Sequence, residues 1–280
     1  FKALKHKKHV VTANKALIAK YGDQLAKIAE KNKVNLEFEA SVCGGVPVIR
    51  SLKEGLIANK ISRIYGILNG TSNYILSSMD KQNKSFDEVL YDAKKLGFAE
   101  SNPSADLNGD DVSSKLKILS SLCFNSFLNN NIYVEGIKDI DKTDIDNANN
   151  LGYKIKLLGF AEFFQKNVYQ SVHPTLIKKD SYVASIDGVL NAVIVDGKPI
   201  GQSTIQGEGA GPSATTSAIV SDISSVLRGN IKFPFAISNS KRKKYSSGKI
   251  IDLFFSSYIR LDVKDKYGVL SDVTKIFSNN

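Results

Sequence analysis

Apolar residues recur at helical spacing over residues 13–30, where Ala16, Leu17, Leu25, Ile28 and Ala29 fall on one face. Residues 6–12 read as a short strand before that helix and residues 35–40 as the strand after it. Residues 62–68 alternate, are rich in β-formers and end at Asn69-Gly70, a turn that feeds a helix over 71–79. A short helix over 86–96 stops at Gly97. Alternation returns at 167–173, 182–188 and 190–195, the last closed by an Asp196-Gly197 turn. Gly-rich residues 207–211 lead into a helix over 212–227. Residues 229–250, with Pro234 and a basic run, read as a linker; 257–263 then alternates as a strand, Gly268 turns, and 270–277 has helical spacing. Strands interspersed with helices fix the class as α/β or α+β.

The helix predicted from Asp110, after the Asn108-Gly109 turn, breaks its own pattern. At 100° per residue, Val112, Leu116, Ile118, Leu119, Leu122 and Cys123 form one apolar arc, and Asp111 and Lys115 fall inside it. Ser113, Ser114, Lys117, Ser120 and Ser121 cover the other face, so lack of polar surface did not force Lys115 inward. A lysine in an apolar stripe is costly unless paired. Asp111, one turn earlier, is close enough to pair with it, and Glu100, Asp106 and Asp110 crowd the loop ahead. Two readings stand: a snorkelling lysine with an i,i+4 salt bridge, or a positioned proton donor whose affinity is tuned towards the working pH by burial on one side and Asp111 on the other.

Composition narrows the class. The 280 residues are enough for a sizeable core and, as a prior, two domains. No apolar run reaches the roughly 18 residues of a membrane span, and the lysine-rich start lacks a signal peptide's apolar core. The two cysteines, Cys43 and Cys123, sit in apolar or Gly-rich settings that suit reduced thiols in the cytoplasm. A net charge of +10 raises nucleic acid as a partner. The excess sits largely in residues 2–8 and 241–244 without interleaved aromatics, which argues for solvated surface and against that partner. His6 and His9 have no third ligand nearby and read as surface residues.

Residues 97–115 run Gly-aromatic-Ala-Glu into Pro, Asp-Leu-Asn-Gly, Asp and, four residues on, Lys. This segment resembles the substrate loop and catalytic helix of homoserine dehydrogenase. Residues 10–15, 38–50, 67–76 and 207–216 resemble further blocks of that family in the same order, so the likeness covers about Val10 to Arg228. The resemblance implies NAD- or NADP-dependent interconversion of aspartate 4-semialdehyde and homoserine, in threonine, methionine and isoleucine biosynthesis. It implies Lys115 as proton donor or shuttle, with Asp111 and Lys15 beside it, and Glu100, Asp106, Asp111, Asn69, Gly70 and Thr71 as substrate-binding residues. Thr12, Asn14, Lys15, Gly97, Gly209 and Gly211 would face the cofactor. A sodium ion would sit on the main chain of Glu39, Val42, Gly44 and Val46, although any residue supplies a carbonyl and two glycines before Pro47 equally suit a tight turn. Asn69-Gly70-Thr71-Ser72 is equally a plain turn and cap, and Gly207-Glu-Gly-Ala-Gly211 is not a Gly-x-Gly-x-x-Gly fingerprint.

The fold this implies is α/β: the remainder of a Rossmann-type nucleotide-binding domain over residues 1–36, with helix 212–228 packing back on it; an α+β catalytic and dimerisation domain with a mixed sheet over 37–211; the linker; and the first strand and helix of an ACT-like domain over 251–280, which would take an amino-acid effector. A homodimer through the central sheet is expected. The family's first strand and Gly-rich turn, which receive the pyrophosphate, would precede Phe1, so the expectation is a fragment, nearly inactive as residues 1–280. The competing reading is a non-catalytic, amino-acid-binding regulatory protein derived from a dehydrogenase. It has no need of Lys15 or Lys115, and both are present.

Overall fold

The computed structural model describes residues 1–128 and 132–278. It opens with a short helix α1 (Lys2–Lys5), β1 (Val10–Val11), α2 (Lys15–Asn32) and β2 (Leu36–Glu37), with β1 parallel to β2. Asn14 starts α2 by accepting the Leu17 amide at 2.9 Å, and Lys33 ends it in the left-handed conformation. Ile18, Gly22, Leu25, Ala26 and Ala29, the predicted face, are buried. Both flanking strands are shorter than the alternation suggests, two residues each. After Glu37 the chain leaves the ladder: the Glu39 amide donates to Asp222 (2.9 Å), and the Glu39 carboxylate accepts the amides of Ile49 (2.8 Å) and Arg50 (2.7 Å) at the start of α3 (Val48–Arg50).

A mixed sheet follows. It contains β3 (Lys60–Ile67), β4 (Tyr133–Val134), β5 (Tyr153–Phe164), β6 (Asn167–Lys178), β7 (Leu190–Lys198) and β8 (Gly201–Glu208), in the order β4-β6-β5-β3-β7-β8. β5–β6 and β7–β8 are antiparallel hairpins, and β3 runs antiparallel between β5 and β7. Helices α4 (Gly70–Gln82), α5 (Phe86–Lys95), α6 (Ser104–Leu107), α7 (Asp110–Cys123) and α8 (Lys142–Asn150) come between the strands, and α4, α7 and α8 pack on β5. Gly159 of β5 seats α7: a side chain there would press on Leu68 and Val112 at 3.0 Å. The opposite face carries a smaller cluster of Ile67, Leu158, Val183, Ile186, Ala192 and Ile194.

The structure corrects several readings. Residues 182–185 form a helical turn rather than a strand. Asp196-Gly197 is no turn: both stay in the ladder opposite Gln202 and Gly201, and Arg63 holds Asp196 at 2.7 Å. The far face of α7 is not solvated, since Ser120 and Ser121 are buried and Gln170 donates to Ser120 at 2.5 Å. With α2 against it on one side and the sheet on the other, α7 is enclosed nearly all round.

Helix α9 (Pro212–Leu227) packs on β1 and the 39–41 turn, and Arg50 bonds Ser221 and Asp222 across that contact. Residues 229–250 are irregular, as read, yet firmly packed. Phe235 is 1% exposed and stacks near Phe38 (5.0 Å) and Phe127 (4.7 Å), while Lys232 pairs with Glu54, Asn239 bonds Asp23, and β9 (Ser246–Ser247) adds to β6. Residues 257–263 form no strand, because no neighbouring strand pairs with them among the described residues. Instead Arg260 binds Asp141 (2.6 Å) and Asp144 (2.8 Å). The predicted final helix is present as α10 (Val269–Ser278).

Candidate active site

Three elements converge at the carboxyl end of β3. That strand stops at Ile67, and Asn69 caps α4 by accepting the Ser72 amide at 2.8 Å, leaving the Leu68 carbonyl free of the helix. Gly109, at φ +86, lets the chain turn sharply from α6 into α7. Asp111 then falls in the first turn of α7, where unpaired amides favour a carboxylate. Helix α2 brings Lys15, about a hundred residues away in sequence, to the same point.

Asp111 is clasped between two lysines. Its Oδ2 lies 2.7 Å from Lys115 Nζ and its Oδ1 2.5 Å from Lys15 Nζ. Asn69 Nδ2 donates to Asp111 Oδ2 (3.0 Å) and to Asp106 Oδ1 (2.7 Å), tying the loop carboxylate to the helix one. Lys115 also donates to the Leu68 carbonyl at 2.6 Å. Burial alone would push the Asp111 carboxyl up, but Lys115 and Lys15 overcome it and hold it at about 2. Burial likewise opposes charge on Lys115, and Asp111, Cys43 and Asp106 outweigh it, so the ammonium is held above the ordinary lysine range. The expectation of an affinity tuned downwards is therefore corrected: the carboxylate wins. Lys115 does not snorkel; it is 8% exposed and pairs inward.

The other predicted residues divide. Thr71 Oγ1 donates to the Phe98 carbonyl (2.7 Å), pinning the loop that carries Gly97 and Glu100 to the start of α4. Gly70 is required by close approach, since a Cβ would lie 2.7 Å from the Val189 carbonyl. Glu100 is exposed and makes no hydrogen bond or ion pair among the described residues, so the structure does not bring it to the cluster. Thr12 and Asn14 follow β1 at the carboxyl end of its sheet and bond each other (Asn14 amide to Thr12 Oγ1, 3.1 Å), with Lys15 next to them and half-exposed. Gly209 and Gly211 sit in the turn before α9; Gly211 has φ +102 and open space where a side chain would be. Residues 12–15 lie where open α/β sheets receive ligands, beyond the carboxyl end of a parallel strand.

The turn over residues 42–46 lies against the carboxyl end of β8, beside Gly209. The Gly45 amide donates to the Glu208 carbonyl at 2.9 Å, and a side chain at Gly44 would meet the Gly209 carbonyl at 3.4 Å. Among the described residues, the carbonyls of Val42 and Gly44 accept no main-chain hydrogen bond, whereas those of Glu39 and Val46 accept the amides of Val42 (3.3 Å) and Val48 (2.7 Å). The side chain of Glu39 is spent on capping α3, and burial raises it to about 7. Main-chain carbonyls are ligands for hard cations, and no group of three or more His, Cys, Asp or Glu side chains is arranged for a metal among the described residues.

Sequence reasoning missed the groups behind Lys115: the Leu68 carbonyl, Cys43 and Asn191. A backbone carbonyl leaves no mark in sequence, but Asn191 did leave one, as a polar residue in the otherwise apolar first six residues of β7.

A mixed sheet with helices on one face, a parallel βαβ unit and a buried lysine-carboxylate cluster at their junction define a protein of α/β class with an enzyme-like charged site. The comparisons narrow this. A family profile described as homoserine dehydrogenase matches residues 47–224, and one described as homoserine dehydrogenase, NAD binding domain, matches residues 1–39. The homoserine dehydrogenase of Neisseria gonorrhoeae is 40% identical over 99% of this chain, which spans 65% of that relative's length. The crystal structure of a homoserine dehydrogenase from Thiobacillus denitrificans superposes with a TM-score of 0.90 at 38% identity, covering 99% of this chain and 66% of that one. A hyperthermophilic archaeal homoserine dehydrogenase mutant in complex with NADPH matches with a TM-score of 0.70 at 29% identity, covering 81% of this chain and 66% of that one. The chain belongs to the homoserine dehydrogenase family.

Proposed function

We propose that this chain carries the reaction centre of a homoserine dehydrogenase and, in the full-length protein, interconverts L-aspartate 4-semialdehyde and L-homoserine. The observation that carries the reading is one buried carboxylate, Asp111, holding Lys115 charged while Lys15 reaches it from the nucleotide-binding side. A purely regulatory descendant would need neither lysine, and here both meet on one atom pair's width of carboxylate.

Aldehyde reduction needs a hydride at the carbonyl carbon and a proton at the oxygen as it gains charge. A bound nicotinamide dinucleotide supplies the hydride or takes it back. The rest falls to the chain. Lys115 gives an N–H proton to the forming alkoxide, its N–H bond breaking as the alcohol O–H forms; in homoserine oxidation the neutral amine takes that proton back. A raised proton affinity keeps the donor form present at neutral pH, which suits reduction. Asp106 and Asp111 orient the substrate's ammonium, with Glu100 a further carboxylate on the loop ahead of them. Free amides at the start of α4, from Gly70 and Thr71, receive its carboxylate. Thr12, Asn14, Lys15, Gly97, Gly209 and Gly211 hold the cofactor, NADP or NAD. A sodium ion on the carbonyls of Glu39, Val42, Gly44 and Val46 would brace the turn against Gly209.

The sheet face that leaves Tyr65 and Phe160 partly uncovered would serve a homodimer. The ACT-like tail would take an amino-acid effector, and the two free, buried cysteines suit a cytoplasmic setting; no helix among the described residues is long and apolar enough to cross a membrane. The test is direct: the full-length protein should form reduced nicotinamide from homoserine, and Lys115→Ala should lower kcat by about 10²-fold or more while cofactor affinity barely changes. A Lys115→Ala protein that turns over like wild type refutes the assignment.

A further inference from the structure

The groups behind Lys115 have no part in the scheme above. Asn191, on β7 opposite Gly207, is 1% exposed, and its Oδ1 accepts no hydrogen bond among the described residues. A buried acceptor left unmet opposes folding, so this polar side chain is an unusual occupant of its place. Its Nδ2 donates to Cys43 Sγ at 3.5 Å. On its other side Gly209 approaches so closely that any side chain at 209 would overlap the Asn191 amide. Cys43 has φ +51, a conformation that non-glycine residues seldom adopt. From there its thiol reaches 4.0 Å from the Leu68 carbonyl, the same carbonyl that accepts Lys115 Nζ at 2.6 Å. An unmet amide and a strained cysteine thus sit one behind the other, and the line they make ends on the lysine.

We propose that Asn191 is a positioning residue for Lys115: acting through Cys43, it fixes the Leu68 carbonyl that holds the ammonium together with Asp111, and it does so from beside the Gly209 turn. The inference rests on the reading of Lys115 as proton donor. The Cys43 sulfur accepts from the Asn191 amide and offers its weak S–H to the Leu68 carbonyl. The charged and titratable groups that face Lys115 are Asp111 on its own helix, Asp106 on α6, Cys43 in the 42–46 turn and, across Asp111, Lys15 on α2.

The experiment compares Asn191→Ala, Cys43→Ala and the double variant in the full-length protein, with kcat, KM for cofactor and the pH profile of aldehyde reduction read on each. Asn191→Ala should lower kcat by about tenfold through misplacement of the reacting group, with KM for cofactor within about twofold. The alkaline limb, where the ammonium is lost, should move to lower pH because the ammonium keeps less of its carbonyl acceptor. Cys43→Ala should do the same, and the double variant should be no worse than either alone, since both act on one carbonyl. An unmoved limb, or losses that simply add, overturns the proposal even if the melting temperature falls. Should Asn191→Ala fail to fold, Asn191→Ser and Cys43→Ala read the same limb. Lys115→Ala separates the two levels: if it turns over normally, the proton-donor reading fails; if it is inactive while Asn191→Ala and Cys43→Ala keep the wild-type profile, only the positioning role fails.

Discussion

Replacing Asp111 by Asn removes one charge at nearly constant volume and leaves the Lys115 ammonium buried against neutral acceptors, the Leu68 carbonyl and the new amide oxygen, in place of its carboxylate partner. Breaking a buried pair from one side typically costs about 3–5 kcal/mol. The structure sets a ceiling on that figure, because the lysine can escape the penalty by discharging. Starting from the ordinary value of 10.5, giving up the proton at about pH 7 costs about 5 kcal/mol, and at about pH 9 about 2 kcal/mol, at 1.36 kcal/mol per unit. The penalty of Asp111→Asn should therefore shrink by up to about 3 kcal/mol between those two pH values.

The sign differs from that of the wild type. With its folded-state affinity raised, wild-type Lys115 contributes stability that is fully present below 10.5 and is lost only as pH rises through the still higher folded value. Wild-type stability owes no slope to this group between pH 7 and 9. In Asp111→Asn the folded-state affinity drops below the unfolded one, the unfolded chain holds the extra proton, and stability climbs with pH across that window. Urea midpoints of both proteins at the two pH values read this directly, and kcat on the same preparations should fall by about 10²-fold at pH 7 as the donor loses its proton. Parallel midpoints, or turnover near wild type, would refute the claim that Asp111 keeps Lys115 charged.

Two further expectations test the surroundings. Phe235→Ala should destabilise the protein by about 3–5 kcal/mol, because its ring fills the space between Phe38, Phe127 and α2; a change under about 1 kcal/mol in chemical unfolding would mean that residues 229–250 are the loose linker their composition suggests. Phe160→Arg on the sheet face should shift the full-length protein from dimer to monomer in analytical ultracentrifugation at micromolar concentration, and a wild type that is already a folded monomer there rules out the sheet-face dimer.

Local spacing was enough to find the centre of the site. Asp111 and Lys115 stand out because a 3.6-residue period puts them among Val112, Leu116 and Leu119, and the structure shows them buried there. The limits of the same reasoning are also physical. Lys15 meets Asp111 only through the packing of α2 on α7, a contact no spacing encodes, so its role came from resemblance alone. Strand β5 went unread because Lys154 and Lys156 interrupt its apolar alternation. Lys156 proves almost wholly buried, held by Asn73, the Ile186 carbonyl and Asp187 at 2.6–3.1 Å. Strand β8 is largely polar on its outer face and gave no signal. The false strand at 257–263 shows the converse, since alternation describes a strand's faces but not whether a neighbour is there to pair with it.

One carboxylate shared by two lysines makes a last prediction that separates holding from steering. Lys15 is 44% exposed at its side chain, so its pair with Asp111 is screened and adds at most about 1 kcal/mol to stability. Its influence on charge within the cluster is larger than that, because it is one of the two cations that depress Asp111. Lys15→Met should therefore leave the urea midpoint nearly unchanged. With that cation gone, Asp111 acts on Lys115 less opposed, and the ammonium is held more tightly still. Homoserine oxidation needs the neutral amine, so its pH profile should move to higher pH, opposite to the shift expected of Asn191→Ala for the same lysine. Cofactor affinity should weaken as well, if Lys15 holds the cofactor as proposed. A Lys15→Met protein with weakened cofactor binding but an unmoved oxidation profile would show that Lys15 touches only the cofactor, and that Asp111 answers to Lys115 alone.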